Sequence, residues 1–183
     1  MKLAKNLTRH EIENYITEYE SFWKTPKGKK DKLTFEGIHE ALCVNGYLTT
    51  PQLKAVALWK TPRVSKIVNE KNDPDQIVRE ITAFALKIPD EKYKIRLLCS
   101  LDGIGIPRAS AILAMSDPKK YGVIDVNAWR ALTGEDRRVF NDDNWMFYLA
   151  EIRGLASRHG KTSREIDMAL MKHGQKMKSD NRK

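Results

Sequence analysis

The sequence has few of the residues that build metal or redox centres. Only two cysteines occur in 183 residues, Cys43 and Cys99, and both stand among apolar neighbours. Two widely separated cysteines cannot supply the closely paired ligands of a structural metal site. We therefore expect reduced, buried thiols, no metal centre and no dedicated cofactor.

Long apolar runs are also missing. No segment approaches the roughly 20 apolar residues that a membrane-spanning helix needs. The first six residues, starting with Met1, contain no apolar stretch of the secretory kind. We expect a monomer that crosses no membrane and stays in the cytoplasm, associated with the nucleoid if the source is prokaryotic.

Acidic residues are in the minority. Lysine and arginine number 33 against 24 aspartates and glutamates, which gives a net charge of +9 and an isoelectric point near 9.5. Basic side chains that neutralise phosphates release the counterions condensed around nucleic acids. The charge balance therefore favours a polyanionic partner such as DNA, although charge alone specifies none.

Period-two alternation is absent over five or more residues, and helix signals are frequent instead. Capping boxes begin at Thr8 and Thr162, Thr50 with Pro51 has the form of a cap with a first-turn proline, and Pro62 interrupts the helix that follows. The sequence predicts an all-α protein of about nine helices, including residues 9–23, 35–44, 52–60, 91–101, 144–159 and 164–176. A further helix is predicted to start at Asp73-Pro74, with Ile77, Ile81, Phe84 and Ala85 on one face. We expect a basic loop at residues 26–32 and a fraying basic tail at residues 177–183.

The central segment, residues 98–115, predicts a helix, a glycine hairpin and a second helix. Gly103 and Gly105 flank Ile104, which would tuck between the helices. Without a side chain on either glycine, the hairpin N–H groups can approach a phosphate directly, and Arg108 adds positive charge. The alternatives are a tight turn between packed helices and a dinucleotide-binding fingerprint. The fingerprint fails because a helix precedes it and Arg108 stands where the third glycine belongs.

Residues 98–132 resemble the helix-hairpin-helix DNA glycosylase superfamily, which includes endonuclease III and the 8-oxoguanine and alkyladenine glycosylases. The resemblance lies in the pattern Leu-x-Gly-Ile-Gly-x-x-x-Ala from Leu101, followed by Val-Ile-Asp-Val around Asp125. It implies that Asp125, about twenty residues after the hairpin, opens a helix and carries the chemistry. It also allows a monovalent cation held by backbone carbonyls at the hairpin.

The chain departs from that superfamily in three ways. Lysine-dependent members carry a nucleophile two residues after the second hairpin glycine, where this chain has Pro107. A Schiff-base lyase step of that kind is therefore not expected. The four-cysteine iron–sulfur loop and the strand-rich N-terminal subdomain are missing too, which leaves a near-minimal helical member.

The expected architecture is one domain of two helical lobes. Residues 50–124 would form one lobe, and residues 1–49 with 125–176 the other, with Asp125 at the floor of the cleft between them. Asp125 is also a favoured helix N-cap, and a capping role alone remains an alternative. Asn127 joins the hairpin residues as a candidate DNA contact.

The predicted base pocket consists of Trp59, Lys60 and Trp129, although large aromatic residues are more often part of the core. Trp23 and Trp145 are assigned to packing. The predicted function is a monofunctional DNA glycosylase, active in base-excision repair or removal of a modified base. The alternatives are a non-catalytic helix-hairpin-helix DNA-binding module and a helical protein-interaction scaffold.

Overall fold

The computed structural model describes residues 2–61, 68 and 74–180. Within these ranges the chain is all-helical, with no strand, which confirms the all-α part of the predicted fold class. A short 3₁₀ helix (Ala4–Asn6) precedes α1 (Arg9–Phe22), α2 (Pro26–Asn45), α3 (Thr50–Lys60), α4 (Asp75–Lys87), α5 (Glu91–Leu98), α6 (Ile106–Ser116), α7 (Val126–Thr133), α8 (Asp142–His159) and α9 (Ser163–Asp180). No helix in the described part of the chain is long and apolar enough to cross a membrane.

Side-chain caps set the helix starts. The predicted capping boxes at Thr8 and Thr162 are both present, the second through reciprocal bonds between Thr162 and Glu165. The cap of α3 is Thr49, one residue before the predicted Thr50, and its hydroxyl accepts from the N–H of Gln52. The predicted break at Pro62 lies outside the described residues.

The predicted basic loop at residues 26–32 is wrong, because these residues form the first turns of α2. The Thr25 hydroxyl accepts from the Gly28 N–H at 3.1 Å, and Pro26 occupies the first helical position, where its missing N–H costs nothing. A Cβ on Gly28 would lie 1.9 Å from the Phe22 carbonyl oxygen, so the helix start packs tightly against the end of α1. The cap and proline outweigh the poor helix propensity of the glycine.

The buried face of α4 also differs from the prediction. Ile77 and Phe84 were expected on the core face but are 46% and 65% exposed. Val78 and Thr82 are fully buried instead. The Thr82 hydroxyl donates to the Val78 carbonyl at 2.7 Å and accepts from the Leu48 N–H at 2.9 Å. A polar residue with both hydrogen bonds satisfied therefore takes a core position that apolar periodicity cannot reveal.

Two further helix ends differ from expectation. The helix starting at Glu91 ends at Leu98 rather than at Leu101. The last helix continues to Asp180, and Met177 on it is buried, so the predicted tail of residues 177–183 is helical over its first four residues. Residues 181–183 lie outside the described ranges.

The helices pack in two groups around one hydrophobic core. Helices α3 to α6 contact one another, and α9 packs on α1, α7 and α8. Helix α2 packs against α3 and α6, whereas the predicted lobe boundary placed it with α1. The segment between α6 and α7 links the two groups, and Asp125 lies at its end.

The two cysteines differ in environment. Both are free, but Cys43 is exposed, so the expectation of two buried thiols is wrong for this residue. Burial, with a smaller effect from Asp142, raises the pKa of Cys99 to about 11. At neutral pH Cys99 should therefore form roughly a hundredfold less thiolate than an ordinary thiol.

We predict one fast-reacting thiol in the native protein. Thiol titration with a chromogenic disulfide should show Cys43 reacting rapidly and Cys99 reacting only on unfolding. The Cys43→Ser variant should lose the fast phase and keep the slow one. A fast phase that survives this substitution would mean that Cys99 reacts readily in the native protein, against its partial burial and its raised pKa.

Candidate functional site

The hairpin joins α5 to α6 as predicted. Gly103 adopts φ +76°, a left-handed conformation that favours glycine, and the Ile104 N–H donates to the Leu101 carbonyl at 3.0 Å. Ile104 is only 3% exposed, so it does tuck between the helices. Gly105 is the N-cap of α6, and a Cβ built there meets no atom within 4 Å. The fold therefore leaves the space over Gly105 open.

Arg108 turns back onto the hairpin. Its guanidinium donates to the Gly103 carbonyl at 3.1 Å and to the Thr61 carbonyl at 3.5 Å. Burial lowers the pKa of Arg108. The side chain thus braces the hairpin against the end of α3. The DNA contact of Arg108 and the monovalent cation at the hairpin stay predictions.

Asp125 is held in place by the hairpin helix and by its own capping bonds. The segment of residues 121–124 is buried, and the Ser110 hydroxyl on α6 accepts from the Ile124 N–H at 3.2 Å. Asp125 then caps α7, since its Oδ1 accepts from the N–H groups of Asn127 and Ala128, each at 2.8 Å. Both capping bonds use the same oxygen.

The second oxygen of Asp125 faces Lys60. The distance from Asp125 Oδ2 to Lys60 Nζ is 3.8 Å, and the two side chains are 23% and 13% exposed. Asp125 is also the residue shared by two cavities that have no other lining residue in common. The carboxylate therefore uses one oxygen for the helix cap, while the other faces Lys60.

The first cavity, here called the aromatic cavity, has a volume of about 280 Å³. Three aromatic rings, one methionine and several polar side chains line it together with Asp125: Tyr19, Phe22, Trp59, Met171, Asp31, Lys60, Lys172 and Gln175. Pockets for drug-sized ligands run from about 300 to 1,000 Å³, so this one suits something smaller and flat. Aromatic walls with a few polar groups are typical of sites that hold an extruded base.

The second cavity, here called the basic cavity, lies on the hairpin side of Asp125 and measures about 400 Å³. Pro107 of α6 lines it, so the helix start that follows the hairpin lies at the same cavity as Asp125. Arg138 and Lys178 line it too, and Arg130 is paired there with Asp136. The balance of charge around this cavity is positive.

The two tryptophans predicted for the pocket have different environments. Trp59 lines the aromatic cavity beside Lys60, and its Nε1 donates to the Asp31 carbonyl at 3.0 Å. Trp129 is only 5% exposed and packs edge-on against Phe140 and Phe147. The pocket assignment of Trp129 is therefore wrong, because the ring is part of the core. Of the tryptophans assigned to packing, Trp145 is fully buried, and Trp23 packs against the core and lines a small cavity next to Trp59.

Asn127 has an internal partner. Its Oδ1 accepts from the Arg130 guanidinium at 2.9 Å, and the same guanidinium nitrogen donates to the Gly174 carbonyl at 2.9 Å. Arg130 is 3% exposed, so its bond to the Gly174 carbonyl is a buried link between α7 and α9. Asn127 thus helps to hold the first turn of α7, and its contact with DNA stays a prediction.

A buried charged cluster supports the wall of the aromatic cavity. The Arg164 guanidinium donates to the Tyr19 hydroxyl at 2.9 Å, is paired with Asp167, and lies 5.7 Å from the centre of the Trp59 ring. Burial lowers the pKa of Arg164, but Tyr19 and Asp167 raise it by more, so it stays charged. Cation–π contacts and hydrogen bonds thus fix two of the rings that surround Asp125.

Several residues near Asp125 were not predicted: Tyr19, Phe22, Arg138, Arg164, Lys172, Gln175 and Lys178. They come from α1, from the segment after α7, and from α9, far from the hairpin in sequence. On an isolated helix their spacing is that of ordinary core or surface positions. Comparisons with protein-family models, curated proteins and solved structures gave no match.

Proposed function

We propose that this protein is a DNA glycosylase that hydrolyses the bond between a damaged or modified base and its sugar, with Asp125 as the catalytic carboxylate. One observation carries the proposal: Asp125 lines both a cavity with aromatic walls and a second cavity lined by Pro107, two residues after the hairpin glycine Gly105. The resemblance of residues 98–132 to helix-hairpin-helix glycosylases points to the same chemistry.

The reaction makes specific demands on the site. Breaking the N-glycosidic bond develops positive charge on the sugar, which a fixed carboxylate stabilises. The Oδ1 bonds to two backbone N–H groups hold Asp125 in place, so Oδ2 can face the sugar and orient a water molecule for attack. The base leaves and an abasic site remains.

The two cavities would bind different parts of the nucleotide, the aromatic cavity the base and the basic cavity the phosphates. A base inside a duplex must first be flipped out, at a cost of a few kcal/mol. Trp59 offers a ring face in the aromatic cavity, with Lys60 beside it, for the extruded base. The phosphates then run past the hairpin and the basic cavity, where Arg138 and Lys178 supply positive charge.

The experiment that tests this function is detection of abasic sites in duplexes that each carry one damaged or naturally modified base. An aldehyde-reactive probe scores each duplex after incubation with the protein. We expect labelling of at least one duplex above the level of the unmodified control. Binding to every duplex without labelling of any would favour the non-catalytic DNA-binding module, in which Asp125 only caps α7.

If the hairpin N–H groups bind a DNA phosphate, a substitution in the hairpin should lower the affinity for DNA. Replacing Gly105 with alanine should weaken duplex binding about tenfold, because the added methyl group would keep a phosphate from the backbone N–H groups. A hydrogen bond to a charged group contributes about 1.5 kcal/mol, and the loss of one such bond corresponds to about a tenfold change in the dissociation constant. The fold should survive, since no atom lies within 4 Å of that methyl group. Fluorescence anisotropy at fixed salt measures the change.

The control is Gly37→Ala on α2, an exposed glycine whose added Cβ also meets nothing within 4 Å. Its affinity for DNA should stay unchanged. Equal affinities for Gly105→Ala and Gly37→Ala would remove the hairpin from the interface and favour a protein-interaction scaffold whose charge is incidental.

A further inference from the structure

The junction between α1 and α2 carries a dense run of positive charge. Residues 24–32, here called the lysine junction, contain five lysines and one aspartate. Because Thr25 caps α2 and Pro26 begins it, all of these lysines except Lys24 lie on the first two turns of a helix instead of on a loop. The fold therefore holds their positions on the surface.

Most of this charge has no partner within the protein. Lys32 is paired with Glu36 at 3.6 Å. In the part of the chain that the structure describes, the other four lysines of the junction are exposed and form no ion pair. Clustered positive charge that the protein itself does not neutralise attracts a polyanion.

Two of the unpaired lysines, Lys24 and Lys29, line an open groove of about 650 Å³, here called the lysine groove. Its other lining residues are Glu20, Trp23, Lys32, Leu33 and Glu36. Since Lys32 and Glu36 form an ion pair, Lys24 and Lys29 outnumber the one remaining glutamate. The charge of the groove therefore favours an anionic ligand.

The lysine groove adjoins the proposed active site. The small cavity next to Trp59, of about 170 Å³, shares Trp23 and Lys32 with the groove and shares Trp59 with the aromatic cavity. The aromatic cavity meets the basic cavity at Asp125. The aromatic cavity thus has the basic cavity as its neighbour at one end and, through the small cavity, the lysine groove at the other.

We propose that the lysine groove is a second DNA-binding surface, in which Lys24 and Lys29 contact phosphates of the DNA whose extruded base enters the aromatic cavity. The inference rests on the proposed function, which supplies the DNA partner. An extruded nucleotide has charged phosphates on both of its sides. The hairpin and the basic cavity bind phosphates on one side, and the lysine groove binds them on the other. Such contacts position the DNA and carry no sequence information.

The test is the salt dependence of DNA binding by the double variant Lys24→Gln/Lys29→Gln. Fluorescence anisotropy at several salt concentrations gives the dissociation constant for a labelled duplex with a tetrahydrofuran abasic-site analogue at its centre. Each phosphate contact contributes about 0.9 to the slope of the logarithm of the binding constant against the logarithm of the salt concentration. The double variant should therefore lose about 1.8 from the slope, and the loss should be the same for different flanking sequences.

The matched control is Lys27→Gln/Lys30→Gln, which removes the same charge from α2 at residues that do not line the groove. Its slope should stay close to that of wild type. All four lysines are exposed, and glutamine is about as good a helix former as lysine, so both variants should melt at the wild-type temperature. Equal losses of slope in the two variants would mean that only the total charge matters and would overturn the inference. An unchanged slope in Lys24→Gln/Lys29→Gln would also overturn it and leave the groove to a partner other than DNA.

Binding is measured without any reaction, so the two proposals can fail separately. Base release by wild type, with an unchanged slope in Lys24→Gln/Lys29→Gln, would keep the glycosylase and reject the second surface. The expected loss of slope, with no base released from any duplex, would keep the surface and favour the non-catalytic DNA-binding module. A wild-type protein that binds no duplex would reject both.

Discussion

Replacing Asp125 with asparagine should lower the rate of base release at least about a hundredfold, a loss of roughly 2.7 kcal/mol of transition-state stabilisation. Asparagine removes the negative charge but keeps an oxygen in the same position. That oxygen can still accept from the N–H groups of Asn127 and Ala128, and asparagine caps helices as well as aspartate does. The capping bonds should therefore survive. Lys60 loses its ion-pair partner, so thermal unfolding and duplex binding of the variant are measured beside base release to isolate the loss of chemistry.

The matched control is Asp90→Asn. Asp90 caps α5 in the same way, with Oδ1 accepting from the N–H groups of Lys92 and Tyr93 at 2.9 Å each, but it lines neither cavity. This variant should release base at the wild-type rate. If both variants lose activity equally, the charge of a capping carboxylate matters only through the fold, and Asp125 has no special role.

The second large effect is expected from Gly174→Ala. A Cβ on Gly174 would lie 1.9 Å from the Asn127 carbonyl oxygen and 2.6 Å from its carbonyl carbon. Both atoms are backbone, so α7 and α9 would have to separate. Overpacking of this kind costs about 3 kcal/mol, which should lower the melting temperature by roughly 6–12 °C in a chain of this size. The shift would displace the first turn of α7, and base release should fall with it.

Gly154→Ala provides the comparison on a neighbouring helix. Gly154 lies within α8, is exposed, and its added Cβ meets nothing within 4 Å. Alanine there should raise stability by about 0.5–1 kcal/mol, because glycine is the poorer helix former. Thermal unfolding by circular dichroism measures both variants. A Gly174→Ala protein that melts at or above the wild-type temperature would contradict the close crossing of α7 and α9.

The features that could be predicted from the sequence are those fixed by local chemistry. The hairpin follows from Gly103 and its positive φ, and the position of Asp125 follows from its capping of α7. Capping boxes gave the starts of α1 and α9 for the same reason. Each of these signals depends only on residues close to it in the sequence, so it can be recognised without knowing the tertiary structure.

The remaining features depend on contacts between distant segments. Trp59 and Trp129 look alike in sequence, and only the packing of α7 against Phe140 and Phe147 makes Trp129 a core residue. The pairing of Lys60 with Asp125 joins residues 65 positions apart. Neither periodicity nor propensity carries information on such pairs.

The first half of α2 shows how competing local signals mislead. Its lysines and Gly28 suggest a loop, but Thr25 and Pro26 begin a helix. Gly28 is there because the end of α1 leaves no room for a side chain, with the Phe22 carbonyl oxygen 1.9 Å from a built Cβ. A residue that weakens a helix in isolation can therefore mark a close contact between two helices.

If Asp125 drives release of a base from DNA, the free base is the most direct product to measure. We would incubate wild type, Asp125→Asn and Asp90→Asn with a mixed panel of modified duplexes and identify liberated bases by mass spectrometry. We expect wild type and Asp90→Asn to release the same base and Asp125→Asn to release at least about a hundredfold less. Release by Asp125→Asn at the wild-type rate, or no release by wild type from duplexes that it binds, would show that Asp125 does not drive this reaction.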